Sequence, residues 1–216
     1  MALLVSIAAL ALFATIARDL VHQQALAQVD LGVNRWIRSR ATLAGYGFWS
    51  VVSTVGDGPA ILVLGSGVAA LLLLRKRFLL LAGWAAALLG GMALNGALKL
   101  AFHRPRPETQ TDFLESFSWS FPSGHAFESL IAYGMLAYLI VVEFEMQRPL
   151  RAVVIGACWA IVIAIGISRL YLGVHYFSDV LGGFAVGGAW LSTCILALEA
   201  VRRRGTAARP TPLRKR

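Results

Sequence analysis

Six long apolar runs constrain this chain more than any other feature of its sequence. They lie at about residues 1–17, 58–74, 78–98, 124–142, 151–167 and 180–198. A bilayer-spanning helix takes about 20 predominantly apolar residues, so six spans with short connections account for most of the chain. The breaks carry charge or turn chemistry: Arg18-Asp19, Arg75-Lys76-Arg77, Lys99 to Pro122, Glu143 to Arg151, and Ser168 to Asp179. The expected fold is all-α, a six-span polytopic membrane domain over residues 1–201 followed by a basic tail at 202–216. Composition agrees, since 58% hydrophobic and only 14% charged residues exclude both a disordered chain and an ordinary soluble domain.

The distribution of charge suggests an orientation. Of 20 Lys and Arg residues, those in the turns at 75–77 and 143–151 and in the tail fall on one side if both termini are cytoplasmic. The tail then reads as the cytoplasmic end of the last span rather than a nucleic-acid arm. Met1-Ala2-Leu3-Leu4 lacks the positive start of a secretory signal, so the first span is expected to remain uncleaved despite Ala25-Leu26-Ala27. Cys158 and Cys194 stand alone in apolar stretches, without metal-ligand or redox spacing.

Between the first two runs, Leu20, Leu26, Val29, Val33, Trp36 and Ile37 recur at roughly helical spacing. This predicts an interfacial amphipathic helix, with Trp36, Tyr46 and Trp49 near the headgroups.

The polar residues beside the spans demand an explanation, because ionisable groups at membrane depth are costly without water, a counterion or a ligand. Lys99, His103, Arg104 and Arg106 follow the third run; Ser123, Gly124 and His125 precede the fourth; Ser168, Arg169, His175 and Asp179 lie between the fifth and sixth. The parity of the spans brings all three clusters to one membrane face. Together they supply the cations Lys99, Arg106 and Arg169, two imidazoles and a carboxylate. That inventory suits a phosphate ester, whose charge of about −1.5 to −2 matches guanidinium forks.

Each cluster has a chemical reading. The prolines of Arg104-Pro105-Arg106-Pro107 bias the arginines toward extended backbone and fix their direction. Pro122-Ser123-Gly124-His125 reads as a helix entrance, with Ser123 as cap, Gly124 allowing close approach of a ligand, and N–H groups that favour an anion. His125 is then placed to give a proton to a leaving oxygen. His175 and Asp179 are four apart and could share a helical face, the carboxylate holding one ring nitrogen and presenting the other as a nucleophile. Glu128 could orient His125 in the same way, so the residues alone leave open which histidine attacks. No metal-binding signature or P-loop is present, and cations can neutralise the transferring group instead, so neither metal nor cofactor is expected.

With these residues in view, the sequence resembles the type 2 phosphatidic acid phosphatase superfamily. The first motif is Lys99, six residues, then Arg106-Pro107; the second is Pro122-Ser123-Gly124-His125; the third is Ser168-Arg169, five residues, His175, three residues, Asp179. The resemblance implies that His175 is the nucleophile, forming a phosphohistidine, with Asp179 orienting it and His125 protonating the leaving group. It implies that Lys99, Arg106, Ser123, Gly124 and Arg169 hold the phosphoryl oxygens. Arg104 is expected as an auxiliary phosphate or headgroup contact and Asn95 and Asp57 as supports, although Asp57-Gly58-Pro59 equally reads as a helix entrance.

The implied activity is metal-independent hydrolysis of a phosphorylated membrane lipid at the extracytoplasmic face of a bacterial inner membrane. Undecaprenyl diphosphate, phosphatidate and phosphatidylglycerol phosphate are candidate substrates; a lipid A phosphatase, a lipid phosphotransferase or a non-catalytic phospholipid-binding protein are alternatives. A transporter would carry polar interruptions near the midplane, whereas this polar set gathers at one edge.

Overall fold

A computed structural model describes residues 2–22, 25–107, 118–144 and 146–207. Among these the chain is helical without strands, in eight helices: α1 Ala2–His22, α2 Ala25–Arg38, α3 Leu43–Thr54, α4 Gly58–Leu74, α5 Phe78–Phe102, α6 Gly124–Glu143, α7 Arg148–Tyr171 and α8 Phe177–Ala207. Among the described residues six stretches are long and apolar enough to cross a bilayer: Leu3–His22, Leu43–Leu74, Phe78–Phe102, Gly124–Glu143, Arg148–Tyr171 and Phe177–Arg204.

The six-span expectation holds, with two changes in the N-terminal half. The second span includes α3 as well as α4. At 1.5 Å per residue, the 17 residues of α4 rise about 26 Å, short of a ~30 Å core, and α3 supplies the remainder. The break between them, at Val55 to Asp57, reappears in the site.

The second change concerns the amphipathic helix, which is α2. Its inward face is polar, since Asp30 and Asn34, one turn apart, are buried, while Val29, Leu31 and Trp36 are exposed. An apolar outer face suits a headgroup–acyl boundary. The buried carboxylate requires partners inside the protein.

Helix α6 is the axis of the bundle and packs on α5, α7 and α8. One side carries Phe127, Ile131, Met135 and Leu139 against Trp84 and Ala87 of α5 and Val186 and Leu198 of α8. The other carries Leu130, Tyr133 and Ala137 against Ile61 of α4 and Cys158, Val162 and Ile165 of α7. With apolar helices surrounded by lipid, such contacts stabilise through dispersion and close backbone approach. A Cβ at Gly183 of α8 would stand 2.8 Å from the Ser123 carbonyl oxygen. Glycine there lets the second turn of α8 pack against the entrance of α6.

The tail expected from residue 202 starts within α8, which continues to Ala207. Arg202 bonds Glu199 and the Tyr138 hydroxyl at this end of the bundle; residues 208–216 lie outside the described residues.

Candidate active site

The ends of α5 and α7 and the starts of α6 and α8 converge on one end of the bundle. Helix α5 stops at His103, whose left-handed conformation (φ 46°) turns the chain into the Arg104–Pro107 segment. Helix α7 ends in a Schellman motif: Gly173 has φ 72°, its N–H bonds the Leu170 carbonyl at 3.0 Å, and the Val174 N–H bonds the Arg169 carbonyl at 3.2 Å. That turn accounts for the spacing from Arg169 to His175, since it closes the helix on Arg169 and returns the chain toward α8.

His175 lies in this connection, before α8 begins at Phe177. It therefore does not share a helix with Asp179. The two still meet, with Nδ1 3.5 Å from Asp179 Oδ2 and both residues buried. Between them sits Ser120, which donates to Asp179 Oδ2 at 2.5 Å and lies 3.3 Å from His175 Nδ1. A hydroxyl has one proton to give. Since Ser120 gives it to the carboxylate, it accepts from His175 Nδ1–H, and Nε2 keeps its lone pair.

The electrostatics agree with a neutral ring. Burial pulls His175 down to about 4; Asp179 opposes this, while Arg106 and Arg169 reinforce it. Asp179 also accepts the Tyr176 N–H at 2.8 Å, and its backbone carbonyl accepts the Ser123 N–H at 3.0 Å, tying the first turn of α8 to the entrance of α6.

Residues 118–120 form a strip that joins the cations to the histidine. Lys99 Nζ donates to the Trp119 carbonyl at 3.0 Å. Arg106 donates to the Ser118 carbonyl and hydroxyl at 2.9 and 2.7 Å and to the Val174 carbonyl at 3.3 Å. Arg169, buried on the last turn of α7, donates to Ser53 Oγ of α3 at 2.5 Å.

The entrance to α6 differs in detail from the capping expectation. Ser123 occupies the N-cap position but makes no side-chain capping bond, and its hydroxyl is buried without a protein partner. A buried unsatisfied hydroxyl is costly, and beside free helix N–H groups it can meet an anionic oxygen. Gly124 lies against Asn95 and Lys99, where a Cβ would stand 3.2 Å from Asn95 Nδ2. Asn95 in turn donates to Glu128 at 3.2 Å.

His125 is held by Asp57, not Glu128: its Nε2 lies 2.5 Å from Asp57 Oδ1. Both readings of Asp57 apply, since it stands at the N-cap of α4 yet makes no side-chain capping bond there. Its carboxylate goes to the histidine instead. Each histidine thus has its own carboxylate, Asp179 for His175 and Asp57 for His125.

Arg104 is held by carboxylates, unlike Lys99, Arg106 and Arg169 in the contacts above. Its guanidinium bonds Asp179 Oδ1 at 2.5 Å, Asp30 Oδ2 at 2.7 Å and Ser178 Oγ at 2.7 Å, and lies over the Tyr176 ring. Burial disfavours its charge, but Asp179 and Asp30 outweigh that and raise its pKa. Asp30 and Ser120 belong to none of the sequence motifs. Ser120 lies in an uninformative Ser-rich stretch, whereas Asp30 and Asn34, polar and one turn apart in an amphipathic helix, were a detectable signal. Among the described residues no group of three or more His, Cys, Asp or Glu is disposed to hold a metal ion.

The PAP2 superfamily model matches residues 78–203. Phosphatidylglycerophosphatase B of Bacillus subtilis (strain 168) is 40% identical over 94 residues, 44% of this chain and 46% of that protein. An uncharacterized 22.5 kDa protein in the cps region of Klebsiella pneumoniae is 32% identical over 147 residues, 65% of each chain. The lipid A 1-phosphatase of Rhizobium etli is 37% identical over 101 residues, 46% of this chain and 41% of that one. The chain thus spans between about two fifths and two thirds of the lengths of these relatives. Among solved structures, a transmembrane PAP2 type phosphatidylglycerolphosphate phosphatase from Bacillus subtilis superposes with a TM-score of 0.75 at 24% identity, covering 97% of this chain and 98% of that one. With the family match running over more than half of the 216 residues and this fold shared along nearly all of them, the chain belongs to the PAP2 superfamily.

Proposed function

We propose that this protein is a membrane lipid phosphatase that works through a phosphohistidine. The observation that carries the reading is the Ser120 hydroxyl between Asp179 and His175, which keeps the proton on Nδ1 and leaves Nε2 as a neutral nucleophile. Nε2 attacks phosphorus and the bond to the lipid oxygen breaks. The leaving alkoxide takes its proton from His125, which Asp57 holds. His125 then accepts a proton from water as that water attacks phosphorus, the P–N bond breaks, and inorganic phosphate leaves. Lys99, Arg106, Arg169, the Ser123 hydroxyl and the Gly124 N–H stabilise charge on the phosphoryl oxygens, a task that needs no metal ion when cations and N–H groups are preorganised.

An apolar groove of about 460 Å³ supports a lipid substrate. Ile61 and Leu62 of α4 and Trp84, Leu88 and Met92 of α5 line it, and it reaches Gly58 and Glu128, the neighbours of Asp57 and Asn95. An acyl chain lying there would have its headgroup beside His125. The relatives named as phosphatidylglycerophosphatase and lipid A 1-phosphatase favour a phosphate monoester on a diacyl or lipid A scaffold. Undecaprenyl diphosphate is the competing polyprenyl substrate. The basic turn at Arg75–Arg77 and Arg202 lie at the bundle end away from the site. By the positive-inside rule that end is cytoplasmic, so the site faces the exterior of the inner membrane.

The test is phosphate release by purified protein in detergent and EDTA, with phosphatidate, phosphatidylglycerol phosphate, lipid A 1-phosphate and undecaprenyl diphosphate in parallel. Turnover is expected, strongest on a monoester, and His175→Ala should lower it by ~10⁴-fold or more. Wild-type-like release by His175→Ala would overturn the mechanism, and no release from any substrate would favour a lipid-binding protein.

A further inference from the structure

We infer that Asp30, on the interfacial helix α2, is a positioning residue for the reaction, acting through Arg104 on the carboxylate that orients His175. The inference rests on the proposed roles of His175 and Asp179.

The geometry is a closed network. Asp30 Oδ1 accepts the Ser178 N–H at 2.8 Å, and Asp30 Oδ2 accepts from the Ser178 hydroxyl at 2.6 Å and from Arg104 at 2.7 Å. The other arm of Arg104 reaches Asp179 Oδ1 at 2.5 Å. Asp30 is only 1% exposed although it belongs to a helix whose Val29, Leu31 and Trp36 face outward. A carboxylate 148 positions away in sequence thus holds an N–H of the first turn of α8, one residue from Asp179.

Charge explains why a second carboxylate matters. With Asp30 present, two carboxylates share one guanidinium, and the group facing His175 keeps a net charge of about −1. When Nε2 bonds to phosphorus, the imidazole becomes cationic, and an anionic neighbour stabilises that state more than the neutral ring. Without the Asp30 charge, Arg104 would cancel Asp179 one for one, and the developing cation would face a neutral pair. Asp30 also fixes the guanidinium from the far side, so both Asp179 oxygens have set tasks: Oδ1 toward Arg104, Oδ2 toward Ser120 and the Tyr176 N–H. The groups acting on His175 are then Asp179 from α8, Ser120 and Arg106 from the connection before α6, and Arg169 from α7, with Arg104 and Asp30 behind Asp179.

Steady-state kinetics per amount of folded protein test this with whichever lipid the wild type hydrolyses. Asp30→Asn, which keeps the shape and loses the charge, should lower kcat at least tenfold while KM stays within about threefold. Arg104→Lys keeps a charge but cannot span two carboxylates with one planar fork; it should show the same split, and it decides the matter if Asp30→Asn does not fold. The double variant should be no worse than the poorer single one, because both act through the same carboxylate. A kcat for Asp30→Asn within twofold of wild type, a loss confined to KM, or additive effects in the double variant would each overturn the assignment. Failure of the underlying reading looks different: the wild type would release no phosphate, or His175→Ala would remain active.

Discussion

The two ends of the bundle each gather arginines and carboxylates, but under opposite conditions. At the site end, Arg104, Asp30 and Asp179 interlock with side chains 17%, 1% and 0% exposed. At the far end, Arg77 and Arg75 approach Glu143 at 3.0 and 3.7 Å with the arginines 54% and 44% exposed, and Arg203 near Glu199 is 85% exposed. Removing one partner of a buried pair costs about 3–5 kcal/mol because the other charge is stranded, whereas an exposed pair is worth about 0–1 kcal/mol. Similar residue types are therefore locked together at one end and solvated by water at the other. The contrast says where substitutions should matter.

The largest effect outside the nucleophile should come from the acid. His125→Ala should lower turnover of an alkyl phosphate by roughly 10²–10⁴-fold, the usual span of general acid catalysis. An aryl phosphate with a good leaving group needs little protonation and should lose far less. Asp57→Asn should show the same leaving-group dependence in weaker form, since it removes the group that holds His125 and not the proton donor itself. Rate ratios across an alkyl and aryl series measure it. An equal loss on both substrates would assign His125 to binding.

Acidity gives the next test. Burial holds His175 at about 4, and in the proposed mechanism only its neutral form attacks. The value is depressed, so the competent state is present above about pH 4 and lost as pH falls through it. On an aryl phosphate, whose leaving group needs little protonation by His125, and after correction for the second ionisation of the substrate phosphate near ~6, kcat/KM should stay level from pH 7 to 5 and fall toward 4. A limb centred near the ordinary imidazole value of ~6.5 would mean that the ring is hydrated and that the buried end resembles the exposed one.

The sequence made most of this legible where chemistry and periodicity coincided. Six apolar runs mark the spans, short only of α3 in the second, and their parity brings Lys99, Arg106, His125, Arg169, His175 and Asp179 to one end. What is not legible depends on contacts across long sequence distances. Asp57 looked as much like a helix entrance as a support, because nothing local says that its carboxylate turns from the α4 N-terminus to a histidine 68 positions away. Glu128 could orient His125 by its i, i+3 spacing, yet Asn95 of α5 takes it. Arg104 resembled its neighbour Arg106 in every local respect. The difference comes from Asp30, whose helix was expected as a surface element and which buries its polar face against the first turn of α8. Ser120, placed by the chain's return to α6, left no sequence signal at all.

The smallest effect should come from the far end. Glu143→Gln removes the carboxylate shared by Arg75 and Arg77 while keeping the volume. Both arginines stay exposed to water, which replaces the lost partner at little cost, so unfolding in detergent should shift by no more than about 1 kcal/mol. Turnover should be unchanged, because Glu143 ends α6 and His125 stands in its first turn. The cavity of about 350 Å³ that Glu143 shares with Lys76, Arg77 and Arg202 becomes more positive in the variant. Anionic lipid added to the detergent should therefore stabilise Glu143→Gln at least as well as wild type. A loss of kcat in Glu143→Gln comparable to that of Asp30→Asn would break the contrast, since it would mean that the two ends are coupled along α6.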